Sequence, residues 1–175
     1  MPKVVAYLNG GIGNQMFQYA TARALAIRKN AELVVDDWSG FIRDVQYRRR
    51  YELGGLSIQA RIANPWERLP CWFYRWDHRQ GRPRAKLFES HWYGNFISET
   101  QLNFLPQMGQ VAVTGTTWLM GYWQSPLYFQ EFGEVLRSEM MPAPPIQEEF
   151  LALGKQLRDL ESVALGVRLY EESKD

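Results

Sequence analysis

A chain of 175 residues with 46% hydrophobic and 22% charged side chains can bury one core, or one domain plus the start of another. That balance excludes an intrinsically disordered chain, and a net charge of +1 excludes the global positive field by which many nucleic-acid binders collect their ligand. The single cysteine, Cys71, excludes a disulfide within the chain, and no apolar run approaches the roughly 18 residues that a membrane-spanning helix needs.

Met1-Pro2-Lys3 and the short apolar run after it do not form a secretory signal. The expectation is a soluble, bacterial-style protein in the cytoplasm. Val4-Val5-Ala6-Tyr7-Leu8 reads as a buried strand. Asn9-Gly10-Gly11-Ile12-Gly13 reads as a glycine-rich loop, and Asn14 is placed to cap a helix from about Gln15 to Arg28. That helix is apolar on most faces and should be buried. Glu32-Leu33-Val34-Val35-Asp36 reads as a second strand. Strand, loop, helix and strand in this order make a βαβ unit, whose crossover favours a parallel sheet.

Residues 39 to 95 lack a clean period, and Pro65, Pro70 and Pro83 break any long element, so a loop-rich excursion with short helices is expected. Thr116–Met120 reads as a strand. Ser125-Pro126 reads as a helix start, followed by an apolar face of Tyr128, Phe129, Phe132, Val135 and Leu136. Pro142, Pro144 and Pro145 mark a linker. A second amphipathic helix carries Ile146, Phe150, Leu153, Leu157 and Leu160, and Val163–Val167 reads as another buried strand.

The glycine-rich loop joins a strand to a helix. Such a junction gathers backbone N–H groups and the positive end of the helix dipole, and glycines let a phosphate come close. A tight packing turn without a ligand fits the glycines equally well. A dinucleotide fingerprint is the third reading: Gly11 and Gly13 fit its first two positions, but Met16 stands at the third, which weakens a nicotinamide-dependent oxidoreductase.

The string GGIGNQMFQYATARALA, from Gly10 to Ala26, resembles the opening motif of glycosyltransferase family 11, the alpha-1,2-fucosyltransferases. Trp118-Leu119-Met120-Gly121-Tyr122-Trp123-Gln124-Ser125-Pro126-Leu127-Tyr128-Phe129 is similar to that family's "GYWQS" segment and its aromatic helix. The resemblance implies an α/β fold: a Rossmann-like parallel sheet forming the first domain of a GT-B-type enzyme, apparently truncated. Residues 1–141 would be that domain, and 142–175 the linker helix and the incomplete start of a second, donor-binding domain. It implies inverting transfer of fucose from GDP-fucose to the 2-hydroxyl of a terminal galactoside in glycan biosynthesis, with no metal and no other cofactor. Its partners would be the donor and the acceptor glycan, not nucleic acid. A lipid-linked acceptor would add peripheral contact with the inner face of a membrane.

Carried over residue by residue, the resemblance points to Gly11, Gly13, Asn14 and Gln15 for the donor diphosphate. The family's second signature, H-x-R-R-x-D, has its nearest match at Gly166–Glu171. Arg168 matches the first arginine, whose guanidinium fork suits phosphate oxygens, and Glu171 stands at the aspartate. These two are the expected catalytic residues. Gly166 replaces the histidine and Leu169 the second arginine, which leaves catalysis and donor identity open.

Trp123 and Gln124 are candidates for the acceptor sugar because they end a strand before a capped helix, although core packing explains Trp123 as well. Asp36 and Asp37 follow the second strand, where such sheets bind ligands, so Asp36 is a further acceptor candidate. The simpler reading has one of the two capping the next element and the other solvated. Asp36, Asp37, Glu52, Glu171 and Glu172 all remain open as the general base. Arg48-Arg49-Arg50 could collect an anionic donor or face an acidic membrane surface, but three charges make a weak patch and a solvated loop is the simpler reading. Trp66, Trp72, Trp76 and Trp92 suit packing more than sugar stacking. His78, His91 and Cys71 lack metal-ligand spacing. A non-catalytic sugar- or nucleotide-binding module is the alternative to an enzyme.

Overall fold

The computed structural model describes residues 1–42, 44–69, 94–99, 103–145, 148–163 and 165. The chain divides into two compact units, Met1–Pro142 and Ala143–Asp175.

The first unit is built on a five-stranded sheet. Its strands are β1 (Lys3–Tyr7), β2 (Glu32–Asp36), β3 (Arg61–Ile62), β4 (Asn95–Ser98) and β5 (Thr116–Met120), and α1 (Ile12–Arg28) links the first two. The spatial order is β3-β2-β1-β5-β4, and every pairing is parallel. This is the α/β sheet that the βαβ pattern predicts.

The apolar run of β1 is continuous because both of its faces are covered. Val4, Ala6 and Leu8 join Tyr19, Leu25, Leu33, Val35 and Leu119 on the α1 side. Val5 and Tyr7 join Val34, Leu69, Phe96 and Trp118 on the other, where the Phe96 and Trp118 rings stack at 6.0 Å. Helix α1 is buried as expected, with Tyr19, Ala20, Ala22, Ala24 and Leu25 all out of solvent.

Two elements escaped the sequence. β3 has two residues, and β4 has four with only Phe96 fully buried, so neither carries a readable period. Ser125 does cap the next turn, accepting the Leu127 N–H at 3.4 Å, but the α-helix starts later than expected. Residues 126–128 and 130–132 form 3₁₀ turns, and α2 begins only at Gly133 and ends at Glu139. The guanidinium of Arg28 takes the Tyr128 carbonyl at 2.7 Å, an acceptor that a continuous helix would need for itself.

Salt bridges tie the amino-terminal edge of the sheet. Arg61 bonds both Glu32 and Glu67, and Lys3 adds a bond to Glu67 at 2.8 Å. Arg61, then Lys3, holds the Glu67 carboxyl far below the usual range, and Arg61 lowers Glu32 as well. Both carboxyls therefore bind fewer protons folded than unfolded near their ordinary pKa of about 4.3, so their contribution is present above that pH and is lost below it. The urea midpoint should fall as the pH drops from about 5 to about 3, and Arg61→Gln should flatten that dependence. An equally steep fall in the variant would remove this cluster from the acid response.

In the second unit, α3 (Glu148–Asp159) is amphipathic, and Phe150, Leu153, Leu157 and Leu160 are about half exposed. The expected strand at Val163–Val167 is not found where it can be seen. Val163 and Leu165 lie outside any strand and are exposed, and an apolar run becomes a buried strand only where a neighbour pairs with it. Ala164, Gly166 and Val167 lie outside the described residues.

Candidate functional site

Because all five strands run the same way, their carboxyl ends open on one edge. The chain steps outward from β1 through β2 to β3, and on the other side of β1 it returns from the outer β4 to β5. Both runs step in the same direction across the sheet, and β1 and β5, far apart in the chain, end side by side at this edge. In open α/β sheets ligands bind outside the carboxyl ends of the strands.

The loop from β1 to α1 lies at this point. Gly10 takes φ 73°, and a Cβ there would stand 2.6 Å from the Asn14 Nδ2. Gly11 is the N-cap of α1 and makes no side-chain bond. The helix thus starts before Asn14, which lies inside its first turn, contrary to the capping role expected of that residue. An extended glycine can cap with its carbonyl alone, and the Gln15 N–H donates to the Gly11 oxygen at 3.1 Å. The amides of Ile12, Gly13 and Asn14 precede that bond and have no intrahelical acceptor.

Two buried glutamines hold the loop. The Gln15 Nε2 donates to the carbonyls of Gly10 at 3.0 Å and Arg50 at 2.9 Å, and its Oε1 accepts the Glu52 N–H at 2.9 Å. Gln18 accepts the Asn9 N–H and donates to the Asn9 Oδ1 at 2.6 Å. Gln15 was expected to touch the donor. Fully buried and with its amide hydrogens engaged, it shapes the loop instead.

The Arg50–Glu52 anchor brings the basic cluster to the same loop. A Cβ on Gly11 would lie 2.8 Å from the Arg49 Nη1, so this guanidinium lies directly over the glycine. Its carbon sits 4.8 Å from the centre of the Tyr47 ring, and the Asp44 carboxylate accepts the Tyr47 and Arg49 backbone N–H groups. Arg49 makes no ion pair among the described residues. Nothing in the spacing of three arginines shows which glycine they will meet.

From β5 the turn Gly121–Gln124 reaches across. The Gln124 Nε2 donates to the Asn14 Oδ1 at 2.7 Å, which joins the loops that follow β1 and β5. Gln124 is exposed, as a ligand-facing residue must be. Trp123 is not. It is fully buried, packs edge-on against Tyr128 at 5.4 Å and belongs to the core, which corrects its assignment to the acceptor. Its neighbour Tyr122 is 39% exposed.

Asp36 is fully buried, and its Oδ1 accepts the N–H groups of Trp38 and Ser39. Its Oδ1 caps the turn after β2, its Oδ2 has no hydrogen-bond partner among the described residues, and burial sets the side chain away from solvent, unlike the acceptor-facing residue expected. Asp37 pairs with Arg68 at 2.9 Å, so it is not simply solvated. Trp66 is 79% exposed. Trp72, Trp76, Trp92, Cys71, His78, His91, Arg168, Glu171 and Glu172 lie outside the described residues. Among the described residues, no three of His, Cys, Asp and Glu gather closely enough to hold a metal ion. No helix among them is long and apolar enough to cross a membrane.

The chain is similar to an alpha-1,2-colitosyltransferase of Escherichia coli, with 29% identity over 174 residues. The match takes in 96% of this chain and 54% of the relative, so the chain spans about half the length of the curated relative it matches. No family model matches the chain, and no solved structure matches it.

Proposed function

We propose that this chain carries the first half of an inverting glycosyltransferase that moves a fucose-type sugar from a GDP-activated donor to the 2-hydroxyl of a galactoside. One observation carries the reading: Arg49 and the free first-turn amides of α1 converge at Gly11 on the edge where the strands of the parallel sheet end. The similarity to a transferase named for an alpha-1,2 linkage supports it. The chemistry needs such a place. The bond between the sugar C1 and the phosphate oxygen breaks as the acceptor oxygen bonds to the opposite face of C1, and negative charge builds on the departing diphosphate. Fixed donors that meet that charge lower the barrier most in a water-poor cleft.

In this proposal Gly11, Gly13 and Asn14 supply backbone donors and Arg49 supplies the cation. Arg168 would bind the diphosphate and Glu171 would serve the reaction, on the strength of their match to the family signature. The acceptor proton would pass to a carboxylate acting as base.

The test is transfer by the full-length protein that contains this chain, from GDP-fucose and from its 3-deoxy analogue to a galactoside, with the anomer read by NMR. No product with either donor would sink the reading. Calorimetry checks the site itself. Arg49→Ala should weaken GDP binding about tenfold, close to the cost of one charge-assisted hydrogen bond. An unchanged affinity would remove Arg49 from the site.

A further inference from the structure

Trp123 has φ 54°, in the left-handed region, which is unusual and costly for a bulky residue. The surroundings must impose it, and two features do. The ring is locked in the core against Tyr128. On the backbone side, one carboxylate oxygen does the work: the Glu99 Oε2 accepts the Tyr122 N–H at 2.8 Å and the Trp123 N–H at 3.1 Å. Glu99 follows β4, next to the end of β5, and its own N–H donates to the Met120 carbonyl at 2.8 Å. A Cβ at Gly121 would lie 2.4 Å from the Glu99 Cβ and 3.0 Å from its Oε2, so only glycine lets the carboxylate come this close.

The turn held in this way places Trp123 inward and leaves Tyr122 and Gln124 exposed on either side of it. Gln124 reaches Asn14 in the first turn of α1. An exposed tyrosine ring beside a side-chain amide is the pairing that recognises a sugar, with an apolar face for the ring and a donor and acceptor for hydroxyls.

We propose that Glu99 is the positioning residue for the acceptor: it holds the Gly121–Gln124 turn so that Tyr122 and Gln124 receive the galactoside beside the donor loop. The acceptor's identity rests on the transferase reading above; the clamp does not. Glu99 acts through the turn and touches neither substrate.

The experiment compares Glu99→Ala with Glu99→Gln in the full chain. Glutamine keeps one oxygen able to accept both N–H groups, and alanine keeps none. Amide hydrogen exchange should show Tyr122 and Trp123 losing protection by tenfold or more in Glu99→Ala and keeping most of it in Glu99→Gln. In transfer assays, Glu99→Ala should raise the KM for the galactoside about tenfold while kcat and GDP affinity stay near the parent values. Glu99→Gln should restore that KM.

Full protection at 122 and 123 in Glu99→Ala would overturn the clamp. Lost protection with an unchanged galactoside KM, or a parallel loss of GDP affinity, would overturn the positioning role. If the unsubstituted chain transfers no sugar, the transferase reading falls and takes the galactoside with it, and the exchange result alone decides the clamp.

Discussion

Glu139→Ala is expected to destabilise the first unit by about 3 kcal/mol, at the lower end of the range for breaking a buried ion pair. Glu139 ends α2 and is 5% exposed. Its carboxylate accepts the Tyr19 hydroxyl at 2.5 Å and three bonds from Arg23, at 3.0 and 3.1 Å from Nε and 2.7 Å from Nη2. The Tyr19 oxygen in turn accepts the Gln59 N–H at 2.9 Å. One carboxylate thus ties α1, α2 and the segment before β3. Removing it leaves a cation and a phenol without their partner, and the exposed edge of Arg23 moderates the cost. Glu139→Gln should lose less, since it still accepts from Tyr19. Urea unfolding followed by tryptophan fluorescence checks this: the midpoint should fall with the slope unchanged. Equal midpoints for parent and alanine variant would show that the network contributes nothing.

The same network sets the alkaline limit. Burial, and then the bond to Glu139, push the Tyr19 phenol well above its ordinary value. Above about pH 10 the unfolded chain releases this proton while the folded chain keeps it, so stability is complete below that pH and falls as the pH rises beyond it.

Gly13→Ala should separate stability from function. Gly13 is the second residue of α1, and a Cβ built there meets no atom within 4 Å. Alanine is therefore accommodated without a clash, and it gains up to about 0.5–1 kcal/mol from the lower backbone entropy of the unfolded chain. In the proposed complex, however, the added methyl projects from the turn whose amides would meet the diphosphate, and it would keep that group from a close approach. GDP affinity and transfer should both fall tenfold or more while the melting temperature holds or rises. A stabilised variant that binds GDP as tightly as the parent would show that the diphosphate does not approach this loop.

The sequence by itself determined β1, α1, β2 and β5, because their patterns are local. A run of apolar residues with both faces buried, or an apolar helix after a glycine loop, declares itself within a few contiguous positions. It also marked Gly11, Gly13, Asn14 and Gln124 as residues worth placing, and the fold sets Gln124 against Asn14 in the first turn of the helix that Gly11 caps. What local pattern cannot carry is which distant residues meet.

Only the tertiary structure decided that β5 lies between β1 and β4, that Arg49 stands over Gly11, and that Glu99 holds a turn more than twenty residues away. It also moved Gln15, Asp36 and Trp123 from the ligand side to the scaffold. Each was a polar or aromatic residue in or just after the loop that follows a strand, or at the strand's end, and burial with hydrogen bonds to the surrounding backbone, through the Gln15 amide and one oxygen of Asp36, or ring packing in the case of Trp123, is a property of the neighbours that surround it and not of its own position in the chain.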